Sequence, residues 1–174
     1  MRLNDDELYK LDYINIGSGR FTTAYRKRNT DRIYLRSTCP FKKAIADKLY
    51  KPNRFLSDVE YSDNPEFDYM MKYEPEFNRN GIRMRLNAYG MKMYSTLTTY
   101  HEYYGSLDEI SFRRFVKGRG LNRKDIDTLC DMINVGYYVI PKGSILMFDA
   151  CVRNLGVTSG GGLMMLDCFT YIEE

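Results

Sequence analysis

Three side chains near the end of the sequence are of types that could bind a metal ion together. Asp149 and Asn154 are five positions apart in a predicted loop between apolar segments, and Asp167 follows thirteen positions later, at the end of a short apolar strand. Carboxylate and amide oxygens suit Mg²⁺, a hard cation that shares its coordination sphere with the phosphates of a substrate. In such a site Asp149 would face the acceptor hydroxyl, and Asn154 and Asp167 would bind the metal.

The same residue types also suit ordinary turns. Asp, Asn and Gly are the residues that turns favour, and the pattern Asp-x-x-x-x-Asn is short enough to be common by chance. A short motif is only a hypothesis until the elements around it agree with it. The predicted strands and helices around these residues are therefore needed to distinguish a metal site from an ordinary turn.

A second candidate site lies near the start of the chain, at Gly17-Ser18-Gly19 between two predicted strands. Glycines lack Cβ, so backbone N–H groups can approach phosphate oxygens closely. A Gly-x-Gly is also an ordinary hairpin turn. It is not the dinucleotide-binding fingerprint, because that motif needs a helix after the glycines and β-forming residues follow here. A phosphate-binding loop and a simple hairpin both stay open.

Composition sets broad limits on the function. The chain has 174 residues, which suits one domain with two lobes, and 26 Lys and Arg against 23 Asp and Glu give a net charge of +3. That charge is too small to predict nucleic-acid binding, although it does not exclude it. The four cysteines form no Cys-x-x-Cys pair and His101 is far from all of them, so we expect no zinc site.

The start of the chain does not have the composition of a secretory signal. It is acidic and lacks an apolar core, and no apolar run in the sequence is long enough to cross a bilayer. We therefore expect a cytoplasmic protein with reduced thiols and no membrane contact.

The first half of the sequence predicts an antiparallel sheet with one helix. Alternating apolar residues and turn signals predict three strands, a helix and two more strands, in that order. The predicted ranges are strands 11–16, 21–28 and 32–37, helix 40–50, and strands 55–61 and 67–73.

The second half predicts helices. Apolar residues at three- and four-residue steps predict a helix over 84–104, a capping box at Ser106 predicts a short helix that ends at Val116, and Asn122 caps a third helix that Pro141 stops. The basic stretch 113–124 could contact an acidic partner or nucleic acid, but such a run is usually a solvated face.

This order of elements resembles the protein-kinase-like fold over nearly the whole chain. Residues 16–25 and 148–155 resemble more closely the serine/threonine protein kinase domain made early in infection by T7-like bacteriophages. The resemblance implies an α+β, bilobal chain, with an N-lobe over 1–75, formed by the five-stranded antiparallel sheet and one helix, and a small, truncated helical C-lobe over 76–174.

The resemblance also implies ATP and Mg²⁺ as cofactors and a role for each matching residue. Asp149 would orient the substrate hydroxyl, Asn154 and Asp167 would hold Mg²⁺, and residues 69–74 would form the hinge that binds adenine. The remaining ATP-binding positions would be Gly17, Ser18, Gly19, Phe21, Thr22 and Arg36. The glycine turn and the three late polar residues would then lie on opposite walls of one cleft.

Several positions depart from the kinase pattern. Arg36 stands at the third-strand lysine and would also be catalytic, but its planar guanidinium does not simply replace an ammonium group. Its expected partner in the helix is Asp47, since the usual glutamate is missing. Thr22 replaces the third glycine, Met147-Phe148 replaces His-Arg, and Asp167-Cys168-Phe169 replaces Asp-Phe-Gly. The chain stops at Glu174, so we expect no activation segment.

Three functions therefore remain open. The first is a minimal ATP-dependent serine/threonine protein kinase that modifies host proteins in the host cytoplasm. The second is a catalytically inactive pseudokinase that binds and modulates a host partner, which Arg36 and the short C-terminal part favour. The third is a small-molecule kinase of the aminoglycoside-phosphotransferase type. The sequence does not predict the oligomeric state.

Overall fold

The computed structural model describes residues 2–73, 85–150, 154–167 and 169–173. Over these residues the protein has five helices and nine strands, so the predicted α+β class is confirmed. The helices are α1 (Asp5–Lys10), α2 (Pro40–Ala46), α3 (Ala88–Tyr103), α4 (Glu109–Val116) and α5 (Arg123–Val139). The strands are β1 (Tyr13–Ser18), β2 (Thr22–Lys27), β3 (Arg32–Ser37), β4 (Val59–Tyr61), β5 (Tyr69–Lys72), β6 (Ile145–Phe148), β7 (Leu155–Val157), β8 (Leu163–Met165) and β9 (Phe169–Ile172).

The chain divides into two compact units. Unit 1 comprises Met1–Leu49 and Ser57–Tyr73, and unit 2 comprises Tyr50–Leu56 and Glu74–Glu174. None of the helices within the described ranges is both long and apolar enough to span a membrane.

Unit 1 is built on one antiparallel sheet with the strand order β1-β2-β3-β5-β4. The predicted five strands and the helix after the third strand are confirmed. Strand β1 contains a bulge, because the register with β2 shifts between Asn15 and Gly17. The bulge lies immediately before the predicted phosphate-binding turn, and bulges locally increase the twist of a strand.

Each face of this sheet packs against a different helix, because successive side chains of a strand point to opposite faces. On one face Leu8 of α1 packs in a cluster with four aromatic residues: Tyr13, Tyr25, Tyr34 and Phe67. On the other face Ala46 of α2 packs with Ile33, Leu35, Val59 and Tyr69. Leu8 is completely buried, and burying such a side chain contributes about 1.5–3 kcal/mol.

Helix α1 was not predicted. A capping box begins it: the Asn4 side chain accepts a hydrogen bond from the Glu7 backbone N–H, and the Glu7 side chain accepts one from the Asn4 backbone N–H. The spacing of Asn4 and Glu7 is the signal that would have predicted the helix.

The prediction of a single strand over 55–61 was wrong at its start. Only Val59–Tyr61 forms β4 in the sheet of unit 1. Phe55 and Leu56 belong to unit 2, where the Phe55 carbonyl accepts a hydrogen bond of 2.6 Å from the Met165 N–H and Leu56 forms a bridge with Met165. Apolar periodicity cannot show that two halves of one segment pair with different strands.

The helices of unit 2 begin at side-chain caps. Asn122 caps α5 by accepting a hydrogen bond from the Asp125 N–H, as predicted. Helix α4 is capped by Asp108 and not by Ser106, since the Asp108 side chain accepts a hydrogen bond from the Ser111 N–H. Helix α3 begins after Asn87, which caps it through the Gly90 N–H.

Unit 2 contains four short strands besides its helices, whereas the sequence predicted helices and only one short apolar strand, before Asp167. Strand β6 pairs with β9 and β7 pairs with β8, both antiparallel. The inner faces of these pairs are apolar, with Leu146, Phe148, Leu155 and Met165 all buried.

Gly161, in the turn between β7 and β8, supports the start of α3. Its φ is +76°, and a Cβ there would lie 2.7 Å from the Arg85 carbonyl oxygen and 2.9 Å from the Asn87 nitrogen. The Gly161 carbonyl also accepts a hydrogen bond of 2.8 Å from the Asn87 N–H. Only glycine fits both the backbone conformation and the close approach.

We therefore expect Gly161→Ala to lower the free energy of unfolding by about 2 kcal/mol or more, through backbone strain and the lost cap contact. Urea denaturation followed by circular dichroism measures the change. Gly160→Ala is the matched control in the same turn, because nothing lies within 4 Å of a Cβ at that position. Equal destabilisation by both substitutions would contradict this account.

Candidate functional site

The pairing of the four short strands in unit 2 determines where the three predicted polar residues lie. Phe148, the last residue of β6, is paired with Phe169, the first residue of β9. Leu155, the first residue of β7, is paired with Met165, the last residue of β8. The connection from β6 to β7 and the connection from β8 to β9 are therefore close together at the described residues next to these pairs. Asp149 and Asn154 lie on the first connection and Asp167 lies on the second.

Hydrogen bonds hold these two connections together. The Asn154 side-chain amide donates to the Asp149 carbonyl oxygen over 3.3 Å. The Asn154 carbonyl accepts hydrogen bonds from the N–H groups of Leu166, at 2.8 Å, and Asp167, at 3.2 Å. The structure thus brings together Asp149, Asn154 and Asp167. Within the described residues the Asn154 amide oxygen has no hydrogen-bond partner.

The carboxylates of Asp149 and Asp167 are half-buried, and neither forms a hydrogen bond or an ion pair with any other described residue. Every other carboxylate of the described chain that is at least partly buried has such a partner: Glu66, Asp68, Asp108, Glu109, Asp125 and Asp127. Withdrawing a carboxylate from water without a partner costs free energy. The two aspartates are therefore placed where an external cation would stabilise them.

The oxygen atoms of Asp149, Asn154 and Asp167 suit Mg²⁺. They do not suit a metal ion that takes all of its ligands from the protein. The side chains available are one amide oxygen and carboxylate oxygens, which are hard ligands. Over the ranges that the structure describes, no group of three His, Cys, Asp or Glu side chains could hold a metal ion. Mg²⁺ characteristically takes only one or two carboxylates from the protein and completes its coordination with water and substrate phosphates.

The glycine turn in unit 1 does not need its glycines for structural reasons. Neither Gly17 nor Gly19 has a positive φ, nothing lies within 4 Å of a Cβ added at Gly17, and the nearest atom at Gly19 is the Thr22 carbonyl oxygen at 3.8 Å. A hairpin alone would therefore tolerate alanine at both positions. This favours the interpretation in which the missing Cβ atoms leave room for a ligand.

The hydrogen bonds of the turn also limit how it could bind phosphate. The Gly17 N–H donates to Asn15 Oδ1 over 3.0 Å, and the Gly19 N–H donates to the Thr22 carbonyl over 2.8 Å. A phosphate would have to compete with these two acceptors. The hydroxyls of Ser18 and Thr22 are bonded to Thr23 at 3.3 Å and to Ser37 at 2.6 Å. Phe21 follows in the same turn and is partly buried.

Arg36 lies on the face of the sheet that α1 covers. Its guanidinium donates to Glu66 Oε2 and to the Glu66 carbonyl oxygen, both over 2.9 Å. It also lies 5.5 Å from the ring centroid of Tyr25 and 5.6 Å from that of Phe67, both members of the α1-side cluster. Arg36 is therefore already paired, and its partner is an acid that the sequence did not predict.

The expected pairing of Arg36 with Asp47 was wrong. Leu35 points toward α2, so Arg36, the next residue of the strand, points to the opposite face. Asp47 instead accepts hydrogen bonds from Lys43 and from the Tyr61 hydroxyl, and these bonds lower the pKa of the Asp47 carboxyl. The alternation of side chains along the predicted strand would have excluded this pair.

A buried polar network in unit 2 was also missed. The Asp125 carboxylate, on α5, is 5% exposed and accepts hydrogen bonds from the Arg54 guanidinium, from the Tyr89 hydroxyl at 2.7 Å and from the Asn122 amide at 2.7 Å. Burial and the bond to Asp125 raise the pKa of Tyr89. Every group in the network has a partner, which indicates a structural role: it joins Tyr50–Leu56 to the starts of α3 and α5.

Two sequence predictions fall partly outside the described residues. Of the predicted hinge, Tyr69–Lys72 forms β5 and the Tyr73 N–H donates to the Asp31 carbonyl over 2.6 Å, whereas Glu74 is not described. Cys168, which follows Asp167 in the position of a kinase phenylalanine, is not described either.

Comparisons with known proteins show a distant likeness to solved structures. No protein-family model matches the chain, and no curated protein matches it. Among solved structures, the spectinomycin phosphotransferase APH(9)-Ia in complex with ADP and spectinomycin is similar with a TM-score of 0.36 and 12% sequence identity. The alignment covers 96% of this chain and 69% of that one. A likeness of this size assigns neither a fold family nor an activity to this chain.

Proposed function

We propose that this protein is an ATP- and Mg²⁺-dependent phosphotransferase that transfers a phosphoryl group to a hydroxyl group. The observation that supports this best is the arrangement of Asp149, Asn154 and Asp167. Two half-buried carboxylates without a partner among the described residues lie beside an amide whose oxygen is also unbonded within that part of the chain. Such oxygen donors suit a phosphate-bound Mg²⁺, which usually takes one or two carboxylates from the protein.

The three residues have different roles in this proposal. Asn154 and Asp167 supply oxygen ligands for Mg²⁺, which, when bound, neutralises charge on the phosphates. Asp149 accepts a hydrogen bond from the substrate hydroxyl, orients it and takes its proton. A carboxylate already engaged in an ion pair would be a poorer acceptor, so the lack of a described partner for Asp149 supports this assignment.

The order of elements in each unit supports the kinase-like interpretation. Unit 1 has the glycine turn between its first two strands and a helix after the third, and in unit 2 the polar residues follow β6 and β8. This is the order that the resemblance to protein kinases implies. We extend the proposal to serine and threonine hydroxyls of host proteins on the likeness of 16–25 and 148–155 to the phage kinase domain.

We also propose that the glycine turn binds the phosphates of ATP, through Gly17, Ser18, Gly19, Phe21 and Thr22. The support is the open space at the Cβ positions of Gly17 and Gly19, which the local fold does not require. Arg36 is proposed to contact the phosphates as well, with Glu66 as its partner when no nucleotide is bound.

One observation favours a second function, a catalytically inactive binding protein with the same fold. Arg36 and Glu66 neutralise each other on the α1 face of the sheet, with side chains only 19% and 22% exposed. Exchanging this ion pair for a phosphate contact would cost part of its stabilisation. If Arg36 is only structural, unit 1 lacks the cation that stands on the third strand of kinases.

The first prediction concerns catalysis. With γ-labelled ATP, Mg²⁺ and cell lysate, we expect the protein to label other proteins and Asp149→Asn to reduce the labelling about 100-fold or more, because the substrate hydroxyl loses its proton acceptor. Phosphoamino-acid analysis of the labelled proteins then identifies the hydroxyl. Unchanged labelling by the variant would contradict the role of Asp149, and no labelling by either protein would favour the binding-protein alternative.

The control for this experiment is stability. Asp149→Asn removes a charge with no described partner, so we expect the free energy of unfolding to stay equal or to rise slightly. Asp125→Asn is the matched change at a buried aspartate of the same unit, where Arg54, Tyr89 and Asn122 would lose their charged partner. A loss of about 2 kcal/mol is expected there. If Asp149→Asn were destabilised as strongly, the lost labelling would not report on catalysis.

A second prediction concerns nucleotide binding. Mg-ATP is expected to raise the melting temperature by mass action, and both Gly17→Ala and Asp167→Asn are expected to lose most of that rise. Without nucleotide, Gly17→Ala should change the free energy of unfolding by less than about 1 kcal/mol, because the added Cβ meets no atom within 4 Å. A full rise of melting temperature in Gly17→Ala would contradict phosphate binding by the turn.

The third prediction distinguishes the two roles of Arg36. Arg36→Met and Glu66→Gln both break the same ion pair, and each is expected to lower the free energy of unfolding by about 1–2 kcal/mol. The Kd for Mg-ATP, measured by titration, distinguishes the two roles of Arg36. If the guanidinium binds phosphate, only Arg36→Met raises the Kd for Mg-ATP. Equal Kd values in the two variants would show that Arg36 is structural.

A further inference from the structure

The tip of the α4–α5 hairpin concentrates positive charge. Helices α4 and α5 are antiparallel neighbours, since Glu109 at the start of α4 accepts a hydrogen bond from Asn134, late in α5, and Arg113 pairs with Asp127. The tip, defined as residues 113–124, contains no acidic residue and six cations: Arg113, Arg114, Lys117, Arg119, Arg123 and Lys124. Because the whole chain carries only +3, the remaining residues are net negative.

Most of this charge is not compensated within the described chain. Arg113 is paired with Glu109 and Asp127, and Arg123 reaches the same Asp127 only at 3.8 Å. Among described residues no acid pairs with Arg114, Lys117, Arg119 or Lys124. By contrast, seven cations elsewhere in the described chain form ion pairs: Arg2, Arg28, Arg36, Lys43, Lys48, Lys51 and Arg54.

These cations share one exposed surface, and their proximity is electrostatically unfavourable. Arg123 and Lys124 lie in the first turn of α5, a helix of 17 residues, where the helix dipole disfavours positive charge. Lys92, from α3, adds another cation, because its Nζ lies 2.9 Å from where a Cβ of Gly120 would be. Repulsion of this kind is relieved when an anion binds.

The tip is also partly preorganised. Gly118 and Gly120 have φ values of +80° and +73° and form the turn between the helices. The Arg119 guanidinium lies 3.8 Å from the ring centroid of Phe115, and its Nε donates to the Phe115 carbonyl over 3.0 Å. A guanidinium held in this way presents its remaining N–H groups to a ligand at a lower entropic cost.

We propose that the tip binds the phosphate backbone of nucleic acid without reading its sequence. The six cations are exposed and the tip has no exposed large apolar side chain. Protein interfaces depend on buried aromatic and apolar anchors, and membrane surfaces accept apolar side chains between headgroups. Phosphate contacts need only cations, N–H groups and a surface that reaches the backbone.

The test uses the full chain and fluorescence anisotropy with a labelled 20-base-pair duplex of mixed sequence and a single-stranded RNA of similar length. We expect binding at low salt with a log–log salt slope of about −4, as for four or five phosphate contacts. The tip variant Arg114→Gln/Lys117→Gln/Lys124→Gln should bind at least about tenfold more weakly, with a slope smaller by about 3.

The matched control is Lys10→Gln/Lys51→Gln/Lys142→Gln, which removes the same charge from exposed lysines outside the tip and outside the proposed nucleotide site. It should keep most of the affinity. Three results would overturn the proposal: no binding of either nucleic acid at low salt, equal weakening by both triple variants, or binding of poly-glutamate or phosphatidylserine vesicles as tight as that of nucleic acid. Neither triple variant touches Asp149, Asn154 or Asp167, so failure here leaves the proposed phosphotransfer untouched.

Discussion

The antiparallel pairing of four short strands in unit 2 is the constraint on which the candidate site depends. Because β6 pairs with β9 and β7 pairs with β8, the described ends of the connections that follow β6 and β8 lie close together. The buried apolar side chains of these strands stabilise the pairing. Asp149, Asn154 and Asp167, separated by up to eighteen positions in sequence, become neighbours for this reason alone.

The distribution of charge shows which parts of the structure lower the stability of the folded state. The partly buried acids of the described chain are paired, except for the two aspartates of the candidate site, and cations outside the hairpin tip are commonly paired with acids. Uncompensated carboxylates and crowded cations both raise the free energy of the folded state. Sites that break a local rule in this way, without a structural gain, are where function is expected.

The sheet of unit 1 shows how strand alternation limits predictions from sequence. The five strands, their turns and the helix after β3 follow from apolar patterns and turn residues, and all are present. The partner of Arg36 could not be predicted from these patterns. Leu35 packs toward α2, so Arg36 faces Glu66, which approaches from the loop before β5. Periodicity indicates which residues share a face, but the residue across from them depends on how loops cross that face.

By itself the sequence determined the α+β class, the succession of five strands and one helix along the first half, the cap of α5 and the three candidate site residues Asp149, Asn154 and Asp167, because these depend on local periodicity and residue chemistry. The order of the strands within the sheet, with β5 between β3 and β4, was decided by the tertiary structure. The tertiary structure alone decided that Phe55 pairs with Met165, that Asp125 is buried in a network, and that the cations of 113–124 share one tip. Pairing and burial depend on contacts between residues far apart in sequence, and local patterns do not contain that information.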